Sequence, residues 1–169
     1  MIKKTMQDAI NAQITREMFS SNLYLSMAGY FHGINLSGFA HWMRLQAQEE
    51  MEHALKFFDY LLDRGGTPAI GEIAPPQTTW ASPLDGFKAA LAHEQKITGC
   101  INDLADLAIK EGDHATNILL QWFITEQVEE EATVEEIVAR LELAGDSPGG
   151  LFFVDNELKT RALPADPTA

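Results

Sequence analysis

Four long stretches of this chain carry apolar residues at alternating steps of three and four, and each of those stripes is interrupted near its middle by an acid or amide. Few folds satisfy both facts. The first run, from about Thr5 to Phe31, turns Ile10, Ile14, Glu17, Ser21, Tyr24, Ala28 and Phe31 to one side; the second turns Phe39, Met43, Gln46, Glu50, His53, Phe57 and Tyr60. A third, opened by Ser82-Pro83 and closing near Glu111, presents Leu84, Phe87, Leu91, Glu94, Ile101, Leu104 and Ala108, with Ile97 or Thr98 between. The fourth presents Leu120, Phe123, Gln127, Glu130, Val134, Ile137 and Leu141. A period near 3.6 defines helices with one buried face, and four such faces close on each other as an all-α four-helix bundle.

The connections set the topology. Only the break at Gly33 to Ser37 separates the first two runs, so they lie antiparallel, with Ser37-Gly38 as the expected start of the second and Gly65-Gly66 as its end. From Gly65 to Ser82 the chain contains Pro68, Pro75 and Pro76 and shows no stripe. A helix of roughly 27 residues is about 40 Å long, and this connector can extend to about 60 Å, so it can travel the whole bundle and leave the second and third helices parallel. Gly112-Asp113 closes the third helix and caps the fourth. Ser147-Pro148 starts a short fifth helix to about Lys159, containing Leu151, Phe152, Phe153 and Val154. Because four helices already enclose a core, this apolar appendage is expected to pack on another subunit, as are the outward Phe19, Leu23 and Tyr30. The domain therefore spans residues 1–159, and 160–169, with Pro164 and Pro167, is expected to be a loose tail.

Composition excludes several functions. With 12 Lys and Arg against 25 Asp and Glu, the formal charge of −13 disfavours nucleic acid and favours cationic partners. No stretch approaches the length of about 18 apolar residues that a membrane span needs, and no apolar run follows Lys3-Lys4, so a cytoplasmic protein is expected. The single Cys100 fits a reducing compartment and is read as a small buried apolar side chain.

The interruptions coincide in height. Glu17, Glu50 with His53, Glu94, and Gln127 with Glu130 converge in a bundle on one interior cluster, with Tyr24 one heptad from Glu17 and no Lys or Arg on a stripe at that level. Residues three apart on a helix, such as Glu50 and His53, grip one object together. Four carboxylates cannot all stay ionised in a dry interior unless cations join them. Oxygen-rich donors with one nitrogen and no sulfur disfavour structural zinc and suit iron or manganese, and four carboxylates suggest two ions with Glu50 between them.

On these residues the chain resembles the non-haem bacterial ferritins over nearly its whole length. The motifs that carry the resemblance are Glu17, Tyr24, Gln46-Ala-Gln-Glu-Glu-Met-Glu-His53, His93-Glu94-Gln95, Gln121-Trp122-Phe123 and Glu126-Gln-Val-Glu-Glu-Glu131. The resemblance implies a ferritin-like bundle in which Glu17, Glu50 and His53 hold one iron and Glu50, Glu94 and Glu130 a second, with Gln127 beside it. It implies that Tyr24 hydrogen-bonds near this diiron site and lends an electron, and that Glu49, Glu126, Glu129 and the shared Glu130 form a third iron site. Glu126, Glu129 and Glu130 do share a helix face, although a solvated acidic face has the same spacing.

The implied function is iron storage with ferroxidase activity: Fe(II) oxidised by dioxygen or hydrogen peroxide and kept as ferric mineral in a homo-oligomeric shell of twenty-four subunits. Where bacterioferritin, rubrerythrin and the ribonucleotide reductase small subunit repeat Glu-x-x-His on the last core helix, this chain has Gln127 and Glu130. A more loosely held second iron follows. The alternatives are a rubrerythrin-like fixed-diiron peroxidase and a haem-binding, bacterioferritin-like store, the latter because Met51 stands where bacterioferritin ligates haem. Met51 reads as an interface methionine, so no haem is expected. A DNA-coating bundle like the small starvation-induced ferritins would lack the long crossover and fifth helix. His32, His41, His93 and His114 read as surface or interface residues.

Overall fold

The computed structural model describes residues 1–163. It contains five helices: α1 (Lys4–Gly33), α2 (Ser37–Asp63), α3 (Pro83–Glu111), α4 (His114–Ala144) and α5 (Pro148–Leu158). Three start where a side chain satisfies a free backbone amide. Ser82 accepts from Asp85 N at 3.1 Å with Pro83 in the first turn, Asp113 accepts from Thr116 N at 3.1 Å, and Ser147 accepts from Gly150 N at 3.3 Å. Gly112 ends α3 at φ 67°, in the left-handed region open to glycine.

α2 starts where the Ser37-Gly38 pair is expected to start it. Ser37 is its first residue, but no side chain of the preceding turn caps it. The cap comes from a distance: Asp155 Oδ1, on α5, accepts from Gly38 N at 2.7 Å and Phe39 N at 3.2 Å. Gly38 is needed for that approach, since a Cβ there would lie 1.7 Å from the Asp155 carbonyl oxygen.

The connector hydrogen-bonds along α1 in rising order. Thr67 N donates to Gln7 Oε1 (3.0 Å), Ala69 N to Asn11 Oδ1 (2.9 Å) and Gly71 N to Thr15 Oγ1 (2.9 Å), while Ser26 Oγ donates to the Gln77 carbonyl (2.7 Å). It therefore runs the length of α1 and delivers α3 parallel to α2, where Phe87 meets Phe31 and Phe39 with ring centres 5.7 and 5.5 Å apart. At the other end Arg64 forms a two-pronged pair with Asp113 at 3.0 and 3.1 Å, tying the end of α2 to the start of α4.

The apolar core is in two pieces. One, around Met27, Phe31, Phe39, Met43, Phe87 and Leu141, occupies the end nearest α5; the other, around Ile10, Ile14, Phe57, Leu61, Leu104 and Phe123, occupies the opposite end. Each fully buried side chain of this size contributes about 1.5–3 kcal/mol, so the two pieces hold the bundle and a polar layer sits between them.

Two packing expectations change. Val154 and Leu158 of α5 are buried in this chain's own core, with α5 against α2 and α4, while Phe152 and Phe153 face outward at 66% and 68% exposure. Leu23 is buried, and Phe19 and Tyr30 pack on the core, Tyr30 beneath Trp80 of the connector with ring centres 5.2 Å apart. These three are not an outward patch, because the crossover covers that face. Of the expected tail, 160–163 are described and residues 164–169 lie outside the described residues. No described helix is long and apolar enough to cross a membrane.

Candidate metal centre

In the polar layer two groups of ligating atoms come together, Glu17 with Glu50 and His53, and Glu50 with Glu94 and Glu130, each set lying within 4.8 Å of one another. Glu50 belongs to both. Four helices supply one side chain or pair each, and Glu17, Glu50 and Glu94 are at most 1% exposed. His53 Nδ1 lies 3.6 Å from Glu50 Oε2 and its Nε2 3.9 Å from Glu130 Oε1, so the imidazole sits between α2 and α4 carboxylates. The edges of Trp122 and Phe123, with ring centres 5.5 and 5.8 Å away, fix its plane.

Amides hold one oxygen each of Glu17, Glu50 and Glu94. Gln13 Nε2 donates to Glu17 Oε1 at 2.8 Å, and Gln46 Nε2 to Glu50 Oε1 at 3.0 Å. The second oxygen of Glu17 is left without any partner although buried, as is Oε2 of Glu130. Gln127 Nε2 donates at 3.3 Å to Glu94 Oε2 and also reaches the Glu94 carbonyl and Thr98 Oγ1. The buried Tyr24 hydroxyl donates to Glu94 Oε1.

Burial dominates the electrostatics. It raises Glu17 from 4.5 to about 7, against the opposing donation from Gln13 and the nearby His53. Glu50 and Glu130 are pushed well above the ordinary carboxylate range, first by burial and then by the neighbouring carboxylates. Tyr24 is raised for the same reasons, burial first and then the charge of Glu94. Burial therefore favours the protonated forms of Glu17, Glu50 and Glu130, and the donor set offered to a cation is oxygen-rich with one imidazole, the chemistry of a hard or borderline metal.

The remaining predicted residues lie apart from these groups. Glu129 is exposed and Glu126 half-buried, and neither joins a ligand group among the described residues. Glu49 is paired instead with Arg161, and burial outweighs that pairing, raising its carboxyl. Met51 is half-buried on α2. His93 departs from the surface reading: its Nε2 is 2.7 Å from Ser20 Oγ, its ring packs on Phe19 and Tyr24, and burial lowers its basicity.

Gln13 and Arg161 were not found from sequence. Gln13 had a signal, being a polar residue one turn before Glu17 on a stripe that includes Ile10 and Ile14. Arg161 had none, because its partners lie more than a hundred positions away.

An up-down bundle pair joined by a full-length crossover, with a carboxylate and imidazole centre at mid-height, defines the ferritin-like class of helical proteins. Residues 7–144 match the family model described as Ferritin, a ferritin-like domain. A bacterial non-heme ferritin of Bacteroides fragilis (strain 638R) is 47% identical over 161 residues, covering 95% of this chain and all of that protein. One from Escherichia coli O6:H1 is 40% identical over 160 residues, covering 95% and 97%. A solved structure of Archaeoglobus fulgidus ferritin, engineered to a closed form, superposes with a TM-score of 0.96 at 44% identity, covering 97% of this chain and all of that one. The open-pore ferritin of the same organism superposes at 0.94 with 45% identity, covering 95% and 98%. The chain belongs to the ferritin family.

Proposed function

We propose that this protein stores iron and is a ferroxidase of the bacterial non-haem type, with Fe(II) as substrate at the polar layer. One observation carries the reading: buried carboxylates on four helices, two of them with an oxygen that nothing in the protein satisfies, gathered around one imidazole. A pair of divalent ions neutralises that charge and occupies those oxygens.

The residues divide the work. Glu17, Glu50 and His53 bind one ion, and Glu50, Glu94 and Glu130 the second, with Gln127 adjacent and Glu50 shared so that the two ions stay close. Gln13 and Gln46 hold the Oε1 atoms of Glu17 and Glu50, which leaves their Oε2 atoms for metal. Binding displaces the proton that burial favours on Glu17. Each Fe(II) then gives up one electron. The pair reduces dioxygen, with two protons, to hydrogen peroxide, or reduces hydrogen peroxide, with two protons, to two waters. Carboxylate oxygens favour the more highly charged Fe(III), so the site stabilises the oxidised product. In this reading Tyr24, bonded to Glu94, lends an electron during dioxygen reduction. Glu49, Glu126 and Glu129, with Glu130, form a third, weaker iron site, and ferric oxyhydroxide collects inside a cytoplasmic shell of twenty-four subunits without haem.

The test is aerobic addition of excess Fe(II) to metal-free protein, following ferric absorbance and particle size together. Ferric iron far beyond two per chain, retained with the assembled particle, is expected. Glu50→Ala or His53→Ala should slow the fast phase about 10-fold or more and leave assembly intact. Unchanged fast kinetics in both variants contradicts the assignment.

A further inference from the structure

After α5 the chain turns back along α2 and lays Arg161 beside the metal centre. Its guanidinium stacks over Trp42, 4.3 Å from the ring centre, and donates to the Trp42 carbonyl at 3.2 Å, to Gln46 Oε1 at 2.9 Å and to Glu49 Oε2. The Arg161 backbone carbonyl is 2.9 Å from His41 Nε2, so the segment is pinned on both sides. The Arg161 and Glu49 side chains are only 20% and 22% exposed. Two consequences meet here. Glu49 already has a cation, supplied by the chain itself. Gln46, held through its oxygen by Arg161, uses its nitrogen to hold Glu50, the carboxylate common to both ligand groups.

We propose that Arg161 is an internal competitor for metal at Glu49: it occupies the carboxylate of the third site until an iron ion displaces it. The inference rests on the third-site reading above. A guanidinium on Glu49 Oε2 and a divalent ion on the same carboxylate repel each other and compete for its charge. A metal ion arriving at Glu49 therefore releases Arg161 from Glu49 and removes one of the contacts that fix Gln46. Arg161 is a positioning residue in this scheme. It raises the iron concentration at which the third site fills, so that the two-ion centre loads first.

The experiment is Zn²⁺ titration of metal-free, fully assembled protein by calorimetry, with Zn²⁺ as a redox-inert probe. Wild type should bind two ions tightly and a third more weakly. Arg161→Gln, which removes the charge, should tighten the third ion about tenfold, or about 1.4 kcal/mol, and leave the total at three. Arg161→Lys, which keeps a cation, should stay within about twofold of wild type, and Glu49→Gln with Arg161→Gln should show no gain over Glu49→Gln alone. A third ion bound equally by wild type and Arg161→Gln overturns the competition while leaving the third site standing. Two ions and no third in either protein overturns the third site itself, and the competition with it.

Discussion

The burial of Glu17 leads to a prediction about metal-free protein that is opposite to the usual effect of removing a buried side chain. Glu17 is buried, and its carboxyl is raised from 4.5 to about 7 chiefly by that burial. An acid raised on folding binds its proton more tightly in the native state, so nothing is lost below about pH 4.5. Stability then falls as pH rises toward 7 and stays reduced above it. The shift from 4.5 to about 7, at about 1.4 kcal/mol per tenfold, corresponds to about 3 kcal/mol at pH 8. Glu17→Gln keeps the shape and still accepts from Gln13, but carries no charge to desolvate. Metal-free Glu17→Gln should therefore be more stable than wild type at pH 8 by up to about 3 kcal/mol, roughly 6–12 °C in melting temperature for a chain of this size. The difference should shrink to about 0.8 kcal/mol near pH 5 and vanish below about pH 4. With saturating Zn²⁺ the order should reverse, because an amide is a poorer ligand and the ion stabilises only the folded form. Thermal unfolding in chelator at pH 5, 7 and 8, then with Zn²⁺, measures all of this. A Glu17→Gln protein no more stable than wild type at pH 8 without metal, or an advantage unchanged at pH 5, refutes the electrostatic reasoning.

Other outcomes follow from single contacts. Gly38→Ala puts a methyl group against the Asp155 carbonyl and should destabilise the seating of α5 by about 1–3 kcal/mol, visible as faster proteolysis between α4 and α5. Asp113→Ala removes the cap of α4 and the partner of Arg64, costing about 1–2 kcal/mol in denaturant unfolding. Because Asp113 is held below the ordinary range, its burial being outweighed by Arg64 and Thr116, this cost should be present at neutral pH and fade as the pH falls through its carboxyl's range. Metal binding by wild type should release protons between about pH 5 and 7, measured as a buffer-dependent calorimetric enthalpy, since Glu17 must ionise to ligate.

The residues gathered in the polar layer were legible in the sequence because helical periodicity is a local signal. Glu17, Glu50, His53, Glu94, Gln127 and Glu130 each break an apolar stripe, and a stripe that faces a core must carry its breaks into that core. The crossover was legible for a similar reason, since only the length of the Gly65 to Ser82 segment mattered. What could not be read were contacts whose partners are distant along the chain. Asp155 caps α2 from α5, Trp80 of the connector covers Tyr30, and Arg161 returns to Glu49. No periodicity links 155 to 38 or 161 to 49. The outward placing of Leu23 failed on the same ground: helix geometry gives a direction, while the element lying in that direction is a matter of tertiary packing. His93 illustrates the limit within one helix, since it lies beside Glu94 but turns to Ser20 on α1.

Anomalous diffraction at the iron edge, from crystals of metal-free protein soaked anaerobically in Fe(II), locates the metal without reference to activity. Two peaks are expected, one among Glu17, Glu50 and His53 and one among Glu50, Glu94 and Glu130, with Glu50 bonded to both. Iron found only at the exposed acids, with the space among these five side chains empty, would contradict a bundle organised around a buried metal pair.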